Sequence, residues 1–154
     1  MVNWGTILKQ SQYIAILEKT LTHLKNSKLE YFKASDHAVS PDQKRFFNQQ
    51  GLQRNRFFQN VLSELQQLGV SSDDLIISKF NFDQLLISTI DTLKASALEK
   101  CLHSDESLLE MYTELEGYTN TNLNLAKHIE TLEGAISQNK EWVSNFKVKS
   151  KKSI

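Results

Sequence analysis

The sequence predicts an all-α fold: a four-helix bundle of two antiparallel hairpins joined by a long crossover. Three observations predict it. Four long stretches carry apolar residues at spacings of three and four, the signature of amphipathic helices. One proline and five glycines in 154 residues are too few for a β-rich or linker-rich chain. The outer two connections are short, whereas the middle one, Val70 to Lys94, is about 25 residues long.

Residues 1–11 are expected to form a short N-terminal extension, with Trp4 packing on the bundle or on a second subunit. Helix one then runs from about Gln12 to Ala38, with Ile14, Leu17, Leu21, Leu24, Lys28, Tyr31 and Ser35 inward. Helix two starts at SPDQ. Ser40 suits the N-cap, Pro41 the first helical position, and Asp42 complements the positive helix end. It ends at Leu68, where Gly69 supplies a stop. In the middle connection, SSDD resembles a helix start and FDQLLISTIDTL is apolar enough to pack. This predicts a crossover with a short helix of its own. Helix three spans about Ala95 to Glu116, with Leu98, Cys101, Leu102, Leu108, Tyr112 and Leu115 inward and Gly117 near its end. Helix four spans about Thr121 to Lys147, with Leu125, Ile129, Leu132, Ile136, Val143 and Phe146 inward. The bundle thus covers 12–147, and residues 148–154 form a lysine-rich, frayed tail. Short connections make antiparallel neighbours, and two hairpins joined by one crossover is the ferritin-like arrangement.

Composition narrows the function classes. Lys+Arg and Asp+Glu both number 18, so the formal net charge is zero, without the basic excess that marks a nucleic-acid or membrane partner. The lone cysteine, Cys101, cannot form an internal disulfide. No stretch approaches the roughly 18 apolar residues of a membrane span. MVNWGTILKQ lacks the basic start and apolar run of a signal peptide. The expectation is a cytoplasmic protein with neither nucleic acid nor membrane as partner.

RFFNQ at Arg45 and RFFQN at Arg56 repeat after eleven residues, which returns a helix to within about 20° of the same face. The wheel puts Phe47 and Phe58 inward with Gly51, Val61, Leu65 and Leu68, and turns Arg45 and Arg56 to water. A nucleic-acid surface would need exposed aromatics beside the basic groups. Arg54 departs from this pattern because it lies on the apolar stripe. Asp105 lies on the inward stripe of helix three, Lys28 is near mid-helix on helix one, and His128 is near the edge of the apolar face of helix four. Lys28, Arg54, Asp105 and His128 are therefore the candidate mid-bundle polar layer. Three readings are open: side chains that snorkel to the helix edges, a buried ion pair, or a ligand pocket.

LEYFKAS on helix one, FQNVLSELQQLGV closing helix two and LEKCLHSDESLLEMYTEL on helix three resemble the bacterial ferritin-like four-helix-bundle family of unknown function, a group found among stress-associated genes. The resemblance extends over about Leu17 to Trp142. It implies a soluble ferritin-like bundle, often dimeric, with no assigned activity.

The wider ferritin-like group often carries a di-iron site, built from a Glu on each of two helices and Glu-x-x-His on each of the other two. Helix two has no histidine and only Glu64 near its end. Helix four has His128, Glu130 and Glu133 but no Glu three residues before a histidine. Glu30 falls opposite the apolar stripe of helix one, and Asp105 and Glu106 serve helix three alone. A cation at Arg54 would also repel iron. His103, Asp105 and Glu106 point in several directions, Cys101 suits a small core residue, and His23 and His37 stand at no recognisable ligand spacing. No catalytic residue, cofactor or metal ligand is assigned. The expectation is a non-enzymatic structural or interaction protein acting as a homodimer, with a stress-related role by resemblance. The alternative is a metal-binding oxidoreductase or iron-binding protein with a degenerate site.

Overall fold

The computed structural model describes residues 4–71, 97–118 and 121–152. Among them are four helices and no strand: α1 (Trp4–Asp36), α2 (Pro41–Gln67), α3 (Ala97–Leu115) and α4 (Leu125–Lys152). The expected crossover falls almost wholly on residues 72–96, outside the described residues, as does the expected packing of the Trp4 and Phe146 side chains.

Cross-helix contacts fix the directions. Tyr13 meets Glu64, Lys28 meets Asn55, and Tyr31 meets Phe46 and Phe47, so α1 and α2 are antiparallel. Tyr31 also bonds Asp105, while Tyr13 lies against Tyr118 just past α3, so α3 runs against α1 as well. α4 pairs His128 with Phe57 and Trp142 with Phe46, antiparallel to α2. α2 and α3 therefore run in the same sense.

Local chemistry sets the ends of α2. Ser40 is the N-cap in extended conformation, and its Oγ accepts from the Gln43 N–H at 3.2 Å. This satisfies one of the helix-start donors that have no partner within the helix. At the other end Gly69 has φ of 88°, a left-handed value glycine adopts without a Cβ clash. The Val70 N–H reaches the Leu65 carbonyl at 3.0 Å and the Gly69 N–H reaches Gln66 at 3.0 Å, the paired bonds of a Schellman stop. Gly51 has a different purpose: a Cβ there would meet the Phe32 ring at 2.5 Å, so its absence lets that ring lie on the α2 backbone.

The boundaries differ from the spacing-based expectation at both ends of the chain. α1 begins at Trp4, so the expected extension is largely part of the helix. In its first two turns Ile7 is 41% and Leu8 63% exposed. Apolar spacing marks where a helix starts to be covered, whereas backbone hydrogen bonding continues through any stretch without a breaker. The same reason carries α4 to Lys152, into the tail expected to fray.

The interior has two apolar clusters. One gathers Tyr13, Leu17, Leu21, Leu24, Phe57, Val61, Leu65, Leu108, Tyr112, Leu115 and Leu132. The other holds Tyr31, Ala34, Phe47 and Cys101, with Phe46 and Trp142 packed on it. Trp142 stands edge-on to Phe46 at 5.1 Å and to Phe47 at 5.6 Å, an arrangement favoured by the aromatic quadrupole. Between the clusters lies a polar layer.

Three inward assignments are corrected. Phe57, not Phe58, is the buried ring of the second RFF; it is 2% exposed, while Phe58 is half-buried. Burying Arg54 turns α2 so that its i+3 neighbour faces the centre. On α1, Ser27 and Tyr31 take the central positions, and Lys28 stands half-buried at the α1–α2 edge. Glu30, placed by the wheel opposite the stripe, is only 5% exposed. α1 packs on both α2 and α3, so a second flank with Thr22, Asn26 and Glu30 is also covered. Thr22 and Asn26 tolerate this by bonding carbonyls one turn back, Glu18 at 3.0 Å and Thr22 at 3.1 Å.

Candidate functional site

The polar layer is centred on a fully buried ion pair. The Arg54 and Asp105 side chains are both 0% exposed. Arg54 Nε donates to Asp105 Oδ1 at 3.1 Å and Nη2 donates to Oδ2 at 2.9 Å, a bidentate fork. Ser27 Oγ donates to Oδ1 at 3.1 Å, and the Tyr31 hydroxyl donates to Oδ2. Asn139 Nδ2 then donates to the Tyr31 oxygen at 2.8 Å. Arg54 Cζ also lies over the Tyr31 ring, 5.1 Å from its centroid, where the π face attracts a cation. All four helices contribute one or more side chains to this network.

A carboxylate offers about four lone-pair positions, and Asp105 has four donors on it. Burial works against the charge on Arg54, but the adjoining carboxylate outweighs it and holds the guanidinium pKa above its ordinary value. Burial, followed by the Asp105 charge, pushes the Tyr31 phenol well up, keeping it a donor. Cys101 is buried against this layer; burial, then Asp105 and Glu30, raise its thiol far from the range of a reactive thiolate.

The four candidate residues do not all meet. Arg54 and Asp105 do. Lys28 instead places Nζ 3.5 Å from Asn55 Oδ1 and 5.9 Å from the Phe58 ring centroid. His128, expected near the edge of its apolar face, is 1% exposed and forms a separate site with Tyr112 and Phe57. It stacks on Phe57 at 3.8 Å, and its Nδ1 lies 2.7 Å from the Tyr112 oxygen. Asn60 Nδ2 faces Nε2 at 3.4 Å, an orientation satisfied when Nδ1 carries the proton and Tyr112 accepts. Ser27 and Asn139 were missed by sequence reasoning. Small polar residues on an inward stripe carry no distinctive spacing.

Burial, with Lys127 and Arg54 adding positive charge, lowers the His128 pKa from 6.5 to about 4. His23 is likewise lowered to about 4 by burial and by Lys19. Both imidazoles are neutral in the folded protein at pH 6, whereas an unfolded histidine gains its proton below about 6.5. The unfolded state binds more protons between those values, so stability falls as pH drops from about 6.5 to 4. At about 1.4 kcal/mol per unit, His128 alone contributes a loss on the order of 3 kcal/mol. An NMR titration of its ring protons should show a midpoint near 4; a midpoint near 6.5 would contradict the buried, neutral ring.

At one end of the bundle, the Tyr13 hydroxyl lies 3.1 Å from Glu64 Oε1 and 2.8 Å from Thr121 Oγ1. Burial, opposed by the Thr121 bond and aided by Glu64, pushes its pKa up to about 12. This phenol ties α1, the last turn of α2 and the lead into α4 together.

His103 and Glu106 are exposed while Asp105 points inward, so these neighbours diverge. Among the described residues, no group of three or more His, Cys, Asp or Glu side chains is placed to hold a metal ion. No helix among the described residues is long and apolar enough to cross a membrane. Comparison with protein-family models, with curated proteins and with solved structures returns no match.

Proposed function

We propose that this chain is a ferritin-like bundle, with a crossover over residues 72–96, that serves as a non-enzymatic structural or interaction protein and acts as a cytoplasmic homodimer. The observation that carries the reading is the saturated Arg54–Asp105 layer. Ferritin-like metal sites are built in the bundle centre from inward carboxylates. Here the central carboxylate spends both oxygens on four protein donors, one of them a guanidinium that repels a divalent ion. Burial keeps the Cys101 thiol protonated, and the ring nitrogens of His128, in its separate site, face Tyr112 and Asn60. The parallel sense of α2 and α3 supports the crossover, because two consecutive parallel helices need a connection that returns along the bundle. Leu29 and Leu52, 48% and 59% exposed on the paired helices α1 and α2, support a second copy as partner. A stress-related role rests on the sequence resemblance.

A second reading, a metal-binding bundle with a degenerate site, is favoured by Glu30. It is a buried carboxylate whose Oε2 has no hydrogen-bond partner. Burial raises its pKa, against the pull of Lys100 and Lys33.

Metal analysis and light scattering on protein purified without chelator separate the readings. The expected result is no stoichiometric transition metal and a mass twice the 17.7 kDa of the chain. Stoichiometric iron or manganese, lost in Glu30→Gln, would favour the second reading. A monomer at micromolar concentration would end the homodimer.

A further inference from the structure

Three buried polar atoms around the ion pair lack a hydrogen-bond partner within the chain: Arg54 Nη1, Asn139 Oδ1 and Gln50 Oε1. They lie together. Asn139 and Arg54 are joined through the Tyr31 hydroxyl and Asp105 Oδ2, to which Tyr31 and Arg54 Nη2 both donate. Gln50 is one turn before Arg54 on the same face of α2. Gln50 and Asn139 each stand one turn from the Phe46–Trp142 contact, on the side of the ion pair. The backbones of α2 and α4 barely approach each other there, and large side chains span the seam. An unpaired buried polar group loses about 1–3 kcal/mol of hydration, and three in one place would be an unusual concentration.

We infer that a single buried water occupies this α2–α4 seam, accepting from Arg54 Nη1 and donating to Asn139 Oδ1 and Gln50 Oε1. One donor atom and two acceptor atoms suit a water, which accepts from the first and donates to the other two, and about three bonds is usual for a buried water. The charge balance selects a neutral ligand. Asp105 already neutralises Arg54, so an anion would face two amide oxygens with no net positive charge to hold it. A cation would face Nη1. The Asn139 amide is assigned independently: Tyr31 spends its proton on Asp105, so its oxygen accepts from Nδ2, which leaves Oδ1 as the unpaired acceptor.

The test is a high-resolution crystal structure of the whole chain, with water–protein cross-relaxation measured by NMR on the Gln50 and Asn139 side-chain amides. The expected result is one density peak within hydrogen-bond reach of all three atoms, with long-lived water contacts to both amides. Gln50→Leu, at a half-buried residue, keeps the fold and should weaken the contact at Asn139; Asn139→Leu should abolish the peak. Direct bonding of Arg54 Nη1 to either amide oxygen would overturn the assignment. So would density for an ion, a dry seam, or a Gln50→Leu protein whose Asn139 water signal is unchanged.

Discussion

Asp105→Ala is expected to destabilise the protein by about 3–5 kcal/mol, the usual loss when one partner of a buried ion pair is removed. The substitution strands a guanidinium that is 0% exposed and takes the acceptor from Ser27 and Tyr31. Arginine cannot relieve this by losing its charge. Arg54→Met should be milder. It leaves a carboxylate that still accepts from Ser27 and Tyr31, whereas Asp105→Ala leaves the guanidinium with no acceptor. The order Asp105→Ala worse than Arg54→Met is thus part of the expected result.

Urea unfolding of the two single variants and the double variant gives the coupling directly. Replacing only the pair by apolar residues would not be neutral here, because the Ser27 and Tyr31 hydroxyls would lose their acceptor. Adding Ser27→Ala, Tyr31→Phe and Asn139→Leu removes those hydroxyls and the amide that bonds the Tyr31 oxygen, and the fivefold apolar variant should regain most of the lost stability. A loss below about 1 kcal/mol for Asp105→Ala would mean that Arg54 reaches water, as surface pairs do.

The ion pair was legible in the sequence because charges are rare on an apolar stripe, and Arg54 and Asp105 are each near mid-helix. The rest of the network was not, for identifiable reasons. Ser27 sits beside Lys28, and the longer residue drew the inward assignment, although a serine fits the helix interface and a lysine stem reaches its edge. Asn139 looks like a surface amide until Tyr31 approaches it. Glu30 needed the knowledge that α1 is covered on two flanks, which depends on the arrangement of the helices. His128 shows the limit of a single wheel: its burial comes from Phe57 on one side and Tyr112 on another, both on other helices. The cap at Ser40 and the stop at Gly69 were readable because they are local and obey backbone chemistry alone.

Phe57→Ala is expected to destabilise by about 3–5 kcal/mol, the range for deleting a fully buried ring and leaving a cavity. Phe57 is 2% exposed within the larger core cluster. Its neighbour Phe58 is half-buried beneath Lys28, and Phe58→Ala should lose only about 1 kcal/mol, part of one side-chain transfer. Arg45→Ala and Arg56→Ala, both at exposed positions, should each fall within about 0.5 kcal/mol of the parent. A second signal accompanies the first. Phe57 covers one face of the His128 ring at 3.8 Å, so its removal admits water and should move the imidazole midpoint up from about 4 towards 6.5. A loss at Phe58 equal to or larger than that at Phe57, with the His128 midpoint unmoved, would restore the face drawn from the eleven-residue repeat and contradict the packing of α2. The expected pair of results ties stability and titration to one ring, because the side chain that fills the core also keeps the histidine neutral.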